Sequence, residues 1–172
     1  MNICLIRHAE AETLPPESGR SDADRPLTDK GWRQTAVLSG ALQGHGVRPV
    51  AVVVSPLLRS RQTAEGLLRP WPGPAPELLE CKALAPGSKP RKLERFVRGL
   101  EADTVLLIGH QPDLGRFAGY LIGARGAHLR FAKAGAALIE FEGGPLKGEG
   151  LLRWLVTPTW CAGHAGPSAQ AG

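Results

Sequence analysis

Three polar segments of this chain carry the residue types that phosphoryl chemistry requires, and each follows a short apolar run. Arg7 and His8 follow the first run, Arg59 lies just beyond the second, and His110 follows a later one. Arginine offers planar donors that match phosphate oxygens and stay charged, and a neutral histidine nitrogen is a nucleophile. Each residue alone also fits a structural role. Their joint occurrence favours a phosphate pocket suited to phosphoryl transfer.

The apolar runs have the length and β-branched composition of buried strands. The predicted strands cover residues 3–6, 50–54, 104–108, 136–141 and 151–156, with a weaker one at 77–81. The last two long runs flank a Gly-rich turn and are predicted to form an antiparallel hairpin. The predicted helices cover about 28–43, 56–68, 89–100 and 114–122, with Thr28 as the N-cap of the first and Pro56 in the first turn of the second.

Alternating strands and helices predict an α/β fold, a three-layer helix–sheet–helix sandwich with a mostly parallel central sheet and an antiparallel edge. If the strands before His8, Arg59 and His110 are parallel neighbours, these side chains meet at one sheet edge, where open α/β sheets bind ligands. We expect a single domain over residues 1–161 and a disordered tail of small and polar residues over 162–172.

The composition is that of a soluble protein, with 42% hydrophobic residues and a formal net charge of +5. A small basic cluster is interpreted as the solvated face of an amphipathic helix. Its members are Lys89, Arg91, Lys92, Arg95 and Arg98. No nucleic-acid motif, signal peptide or apolar stretch near 20 residues is present, so we expect a cytoplasmic protein that binds neither nucleic acid nor membrane. The three isolated cysteines predict neither a disulfide framework nor a metal site.

Four motifs in order resemble those of the histidine phosphatase superfamily, and in particular its SixA-type phosphohistidine phosphatases. They are Arg-His-Ala at 7–9, Arg-Pro-Leu-Thr-Asp-Lys-Gly at 25–31, Ser-Pro-Leu-Leu-Arg-Ser-Arg-Gln-Thr at 55–63 and Gly-His-Gln-Pro at 109–112. The resemblance covers about residues 1–158. It implies a phosphoglycerate-mutase-like fold and metal-independent, cofactor-free catalysis through a phosphohistidine intermediate.

By motif position, His8 resembles the family's nucleophile, and Arg7, Arg59 and His110 resemble the catalytic groups that bind the phosphoryl group. Two positions depart from the pattern. Ala9 replaces the family's usual glycine, which is harmless unless the backbone there needs a positive φ. Ala83 stands where larger relatives place a general acid, and the nearby Glu80 is the candidate substitute although it is out of register.

A missing acid suits a phosphorylated histidine on a protein, because its N–P bond is labile and imidazole leaves readily. The resemblance therefore favours a phosphohistidine phosphatase acting on a phosphorylated protein partner. One alternative is a broader small-molecule or phosphoprotein phosphatase of the same fold that uses Glu80 as its acid. A second is a non-catalytic phosphate-binding module.

Overall fold

The computed structural model describes residues 1–124 and 129–163, and its centre is a six-stranded sheet. The strands are β1 (Asn2–Arg7), β2 (Ala51–Val54), β3 (Glu77–Glu80), β4 (Thr104–Gly109), β5 (Ala136–Glu140) and β6 (Leu151–Val156). The helices are α1 (Asp29–Gly44), α2 (Leu58–Leu68), α3 (Pro90–Arg98), α4 (Asp113–Leu121) and α5 (Pro158–Gly163). Three short 3₁₀ turns cover Pro16–Ser18, Asp22–Asp24 and Lys82–Leu84.

The strand order is β3-β2-β4-β1-β5-β6, which places the three strands that precede the candidate residues side by side. β3, β2, β4 and β1 run parallel, while β5 pairs antiparallel with both β1 and β6. The mostly parallel sheet with an antiparallel edge is therefore confirmed. Parallel strands buried on both faces are expected to be continuously apolar, and Ile3 through Ile6 have no exposed surface.

The apolar side chains of the sheet alternate between two cores, one on each face. One core joins the sheet to α3 and α4 through side chains such as Leu93, Val97 and Phe117. The opposite core holds Leu38 of α1, Leu67 of α2 and, behind them, α5. The three-layer sandwich is thus confirmed, and its helices leave the carboxyl edge of the parallel strands as the place where loops gather.

The predicted elements match with small shifts at their ends. Thr28 caps α1 as predicted, its side-chain oxygen accepting from the Gly31 N–H at 3.1 Å. The predicted start of the second helix at Pro56 is wrong, because Leu57 is extended (φ −74°, ψ 137°) and α2 begins only at Leu58. Ser55 lies in the turn before α2 at the edge of the sheet, where its hydroxyl oxygen is 2.9 Å from His110 Nε2.

At the carboxyl end of the chain, the short helix α5 follows β6 and packs on α1, a contact that the sequence pattern did not predict. α5 includes the first two residues of the predicted 162–172 tail, and residues 164–172 lie outside the described part. Within residues 1–124 and 129–163, no helix is both long and apolar enough to cross a membrane.

Candidate active site

Two histidines face each other at the carboxyl edge of the sheet. The His8 N–H donates to the Gly109 carbonyl at 3.0 Å, and the Ser55 N–H donates to the Ile108 carbonyl at the same distance. These two hydrogen bonds extend the β1–β4 and β2–β4 ladders by one residue, so the segments that follow the three strands leave the sheet at the same level. The rings of His8 and His110 consequently lie 5.0 Å apart between centroids, tilted by 52°.

The tautomer of His8 is fixed by its own backbone neighbour. The ring Nδ1 lies 2.7 Å from the Ala9 carbonyl oxygen, which can only accept, so Nδ1 carries the proton. Nε2 then retains its lone pair. Burial lowers the pKa of His8 to about 3, helped by His110, Arg59 and Arg7 and opposed only by the Ala9 hydrogen bond. His8 is therefore neutral at physiological pH, the state that a nitrogen nucleophile needs.

The second histidine is held from one side only. His110 Nε2 lies 2.9 Å from Ser55 Oγ and 3.4 Å from Ser60 Oγ, whereas its buried Nδ1 has no partner among the described residues. Burial lowers the pKa of His110 to about 4, helped by the charges of Arg59 and Arg7 and opposed by that of Asp22. A hydroxyl that donates to Nε2 leaves the proton of the neutral ring on Nδ1, which makes Nδ1 a donor.

Arg59 is almost completely buried, with 5% of its surface exposed, and its guanidinium grips the 3₁₀ turn Asp22–Asp24. Nη1 donates to the Asp22 carbonyl at 2.7 Å, and Nη2 donates to the Asp22 carboxylate at 2.9 Å. Hydrogen bonds from Arg25 and Arg59 hold the pKa of Asp22 below its usual value although partial burial opposes them. A cation in the first turn of α2 opposes the helix dipole, and Asp22 offsets that cost.

α2 is also tied directly to the chain that carries His8. The Thr63 hydroxyl donates to the Arg59 carbonyl at 2.6 Å and accepts from the Ala9 N–H at 3.0 Å. One hydroxyl thus connects the turn of α2 that holds Arg59 with the residue that orients the His8 ring.

Arg7 closes the site from the opposite side. Its Nη1 donates to the Phe131 carbonyl at 2.9 Å, in a loop whose Leu129 carbonyl accepts from Gln111 Nε2 at 3.0 Å. Partial burial, and then the nearby charge of Arg130, lower the pKa of Arg7. Arginine remains charged despite this shift, so Arg7 and Arg59 surround the two neutral histidines with positive charge.

Three buried nitrogens of this site lack hydrogen-bond partners among the described residues. They are Arg7 Nε, Arg59 Nε and His110 Nδ1, one on each residue that the sequence assigns to phosphate binding. A buried donor without an acceptor costs about 1–3 kcal/mol. An oxyanion bound between these residues would supply the missing acceptors and complement the two guanidinium charges.

The comparisons with known proteins agree with this geometry. Residues 3–82 match the family model of the histidine phosphatase superfamily, branch 1. An uncharacterized protein of Picosynechococcus sp. is 43% identical over 140 residues, which cover 78% of this chain and 82% of the relative. The chain belongs to the histidine phosphatase superfamily. The phosphohistidine phosphatase SixA of Escherichia coli is 28% identical over 166 residues, covering 92% of this chain and 94% of SixA.

Two solved structures share the fold. The protein histidine phosphatase SixA complexed with tungstate has a TM-score of 0.81 and 25% identity, covering 92% of this chain and 98% of that one. The alpha-ribazole phosphatase of Shigella flexneri has a TM-score of 0.69 over 92% of this chain and 97% of its own, but at 20% identity it shows the fold alone. Together these findings confirm the phosphoglycerate-mutase-like fold and support a phosphatase.

The alanine that replaces the usual superfamily glycine causes no backbone strain. Among the described residues, Ala134 is the one non-glycine residue with a positive φ, so Ala9 needs no glycine conformation. Ala9 is fully buried, and its N–H is bound by Thr63. The added methyl group is part of the core on the α1–α2 face of the sheet.

Glu80, the candidate acid, lies apart from the histidines. It ends the edge strand β3, three strands from β1, and strand spacing near 4.8 Å separates the two backbones by about 14 Å. Its half-exposed carboxylate pairs with Arg61 at 3.8 Å. Ala83, at the expected acid position, lines the same depression as His110 but has no polar side chain.

The structure therefore brings Arg7, His8, Arg59 and His110 together and leaves Glu80 outside. Sequence reasoning missed Asp22, the partner of Arg59, and gave no role to Ser55 or Gln111. Ser55 and Gln111 lie inside recognised motifs and could have been found by asking which polar groups hold His110 and the loop beside Arg7. Asp22 is one of several acids in a loop, and no local pattern distinguishes it.

Proposed function

We propose that this protein is a metal-independent phosphatase that hydrolyses phosphohistidine on a partner protein through a phosphohistidine intermediate at His8. The observation that carries the proposal is the neutral His8 ring, with Nδ1 fixed on the Ala9 carbonyl, beside three buried donors that find no acceptor among residues 1–124 and 129–163. Arg7, Arg59 and His110 are assigned to binding the phosphoryl oxygens. Their charge and donors fill the role of neutralising the transition state that a metal ion fills elsewhere.

In the first step, the His8 Nε2 lone pair attacks phosphorus, the Nε2–P bond forms, and the N–P bond of the substrate histidine breaks. The electron pair of that bond leaves with the substrate imidazole, which is protonated by solvent. Charge on the phosphoryl oxygens is held by the two guanidinium groups throughout. The Nδ1–H to Ala9 hydrogen bond stabilises the positive charge that develops on the attacking ring.

In the second step, water attacks the phosphorylated His8. The new P–O bond forms as the Nε2–P bond breaks, and the electron pair of that bond returns to the ring. The proton that water loses leaves with inorganic phosphate, and neutral His8 is regenerated. Two in-line displacements at one pocket, the first by His8 and the second by water, require no second protein nucleophile and no bound metal.

The leaving group supports phosphohistidine over phosphate monoesters. An alkoxide needs a proton from the enzyme as it leaves, and Glu80, the candidate acid, is paired with Arg61 at the edge of the sheet. Ala83 contributes a methyl group where a carboxyl is expected. An imidazole leaves without such help. The similarity to SixA phosphohistidine phosphatase points to the same class of substrate.

The alternative is a broader small-molecule or phosphoprotein phosphatase in which the Glu80 side chain moves to the pocket and acts as the general acid. Glu80→Gln separates the two, because the amide cannot donate a carboxylic proton. We expect kcat for phosphate monoesters and for phosphohistidine to change less than about threefold. A loss of 10²-fold or more confined to monoesters, the usual scale for a general acid, would establish the alternative instead.

The deciding experiment measures release of inorganic phosphate from a histidine-phosphorylated protein in excess EDTA. Wild type should release phosphate and His8→Ala should not, whereas His45→Ala, an exposed histidine of the same chain, should match wild type. A reaction quenched in alkaline detergent, which preserves the N–P bond, should also trap labelled phosphate on wild type only. Phosphate binding by both wild type and His8→Ala without turnover in either would indicate a binding module.

A further inference from the structure

The exposed face of α3 carries a dense patch of positive charge. It consists of Lys89, Arg91, Lys92, Arg95 and Arg98, all exposed, and is called here the α3 basic face. Positions 91, 95 and 98 are four and three residues apart and so lie on one side of the helix. The opposite side buries Leu93 and Val97 against the sheet. Packing of the helix therefore depends on its apolar side, and the arginines are not needed for it.

Within the described part of the chain, the charge of this face is compensated only in part, by Glu94, which lines the same surface depression as Arg91, Arg95 and Arg98. The ion pairs formed by the described residues include arginines of α2, α4 and β6, but no ion pair includes a cation of the α3 basic face. The one carboxylate on α3, Glu94, accepts a 2.5 Å hydrogen bond from the Tyr120 hydroxyl. Five positive charges and one carboxylate, on nine helical residues and the adjoining Lys89, leave a net charge of +4 and form a local positive potential that attracts anionic partners.

This face begins at the candidate active site. Lys89 and Pro90, at the start of α3, line the same surface depression as His110 and Ala83. From Pro90 to Arg98 the helix rises about 12 Å at 1.5 Å per residue. The positive charge therefore extends from the mouth of the phosphate pocket outward over the protein surface. A small phosphorylated molecule bound in the pocket would not reach the far end of this charged surface.

We propose that the α3 basic face is the docking surface for an acidic patch beside the phosphohistidine of the protein substrate. This inference rests on the proposed function, and it adds the kind of partner: a protein whose phosphorylated histidine is flanked by exposed carboxylates. Arg95 and Arg98 lie about 8 Å or more along the axis from Pro90. That separation is near one Debye length at physiological ionic strength, so these two charges act on a bound protein and hardly on the phosphoryl group itself.

The test compares the double variant R95E/R98E with wild type on two substrates. One is an acidic protein phosphorylated on a single histidine with phosphoramidate, and the other is phosphoimidazole. We expect KM for the protein to rise at least tenfold at 100 mM salt, with kcat and all constants for phosphoimidazole within twofold. The protein KM of wild type should also increase with salt, whereas that of the variant should be nearly flat.

The matched control is R33E/R48E, which makes the same change in net charge at two exposed arginines that form no ion pair among the described residues, one on α1 and one before β2. Its KM for the protein should stay within twofold of wild type, and melting temperatures should verify that both variants fold. Equal KM values for R95E/R98E and the control would overturn the docking proposal while leaving the proposed function intact.

Other outcomes are equally decisive. A parallel loss on phosphoimidazole would mean that the arginines act on the pocket rather than on a partner, which also refutes docking. If an RNA oligonucleotide bound wild type, lost binding to R95E/R98E and left the protein KM unchanged, the face would be a nucleic-acid surface instead. Wild type that hydrolyses neither substrate would overturn the proposed function itself, and the docking proposal with it.

Discussion

Acidification from pH 7 to pH 5 should destabilise this protein through His8 and His110. Both rings are buried, with 8% and 3% of their surfaces exposed, and burial together with the neighbouring arginines lowers their pKa values to about 3 and about 4. In the unfolded chain each returns to an ordinary value near 6.5. Between these values the unfolded state binds protons that the native state does not bind, so the free energy of unfolding falls as pH falls.

The magnitude follows from the difference in proton binding. Each pH unit below the unfolded pKa and above the native pKa costs 1.36 kcal/mol per histidine. From pH 7 to pH 5 the cost is about 2 kcal/mol for each ring and about 4 kcal/mol for both. Carboxylates add little in this window, because their unfolded pKa values lie near 4. A loss of about 4 kcal/mol is a large share of the stability of a domain of this size.

Urea denaturation at pH 7, 6 and 5 measures this dependence directly. Wild type should lose about 4 kcal/mol over the range, His8→Asn and His110→Asn about 2 kcal/mol each, and the double variant little. His45→Asn is the control, because His45 is exposed and lies at the far end of α1. Saturating inorganic phosphate should reduce the wild-type loss, since a bound anion favours protonated histidine.

The reasoning is refuted if the double variant loses as much stability between pH 7 and pH 5 as wild type does. That result would place the pH dependence elsewhere in the molecule and would remove the argument that His8 is held neutral for attack. A loss in wild type of less than about 1 kcal/mol would refute it equally, because it would mean that the native rings accept protons near their ordinary pKa.

Two further substitutions probe the surroundings of the site. Asp22→Asn removes a negative charge beside the phosphate pocket, and we expect the inhibition constant of inorganic phosphate to fall about threefold to tenfold. The control Asp24→Asn should stay within twofold of wild type. Weaker phosphate binding by Asp22→Asn would instead show that Asp22 is needed to hold Arg59 in place. Gly66→Ala would drive a methyl group into Thr35 where α1 and α2 pack, which should cost about 1–3 kcal/mol in chemical denaturation. Gly40→Ala, with open space around it, should be neutral or stabilising by up to about 1 kcal/mol.

The parts of the fold that could be predicted from sequence are those with a local cause. Continuous apolar β-branched runs are what two-sided burial requires, so β1, β2 and β4 were predicted together with the edge at which their polar residues meet. Thr28 was predicted as a cap because a side-chain oxygen three residues before a free N–H is a local arrangement.

What could not be predicted depends on contacts between distant segments. The grip of Arg59 on Asp22 joins residues 37 apart in the chain. The position of Glu80 beside Arg61, away from the histidines, depends on where β3 lies in the sheet order. The short helix α5 is stabilised by packing on α1, and six residues carry too little periodicity to indicate it.

The Thr63 hydroxyl has a consequence for the timing of catalysis. Because it binds the Arg59 carbonyl and the Ala9 N–H at once, the spacing between His8 and Arg59 is determined when α2 packs onto the sheet, before any ligand binds. The entropy lost in ordering the site is therefore lost once, during folding, and is not lost again in each turnover. For the phosphatase proposed above, encounter with the phosphorylated partner, rather than rearrangement of the pocket, is then the step that selection can still change.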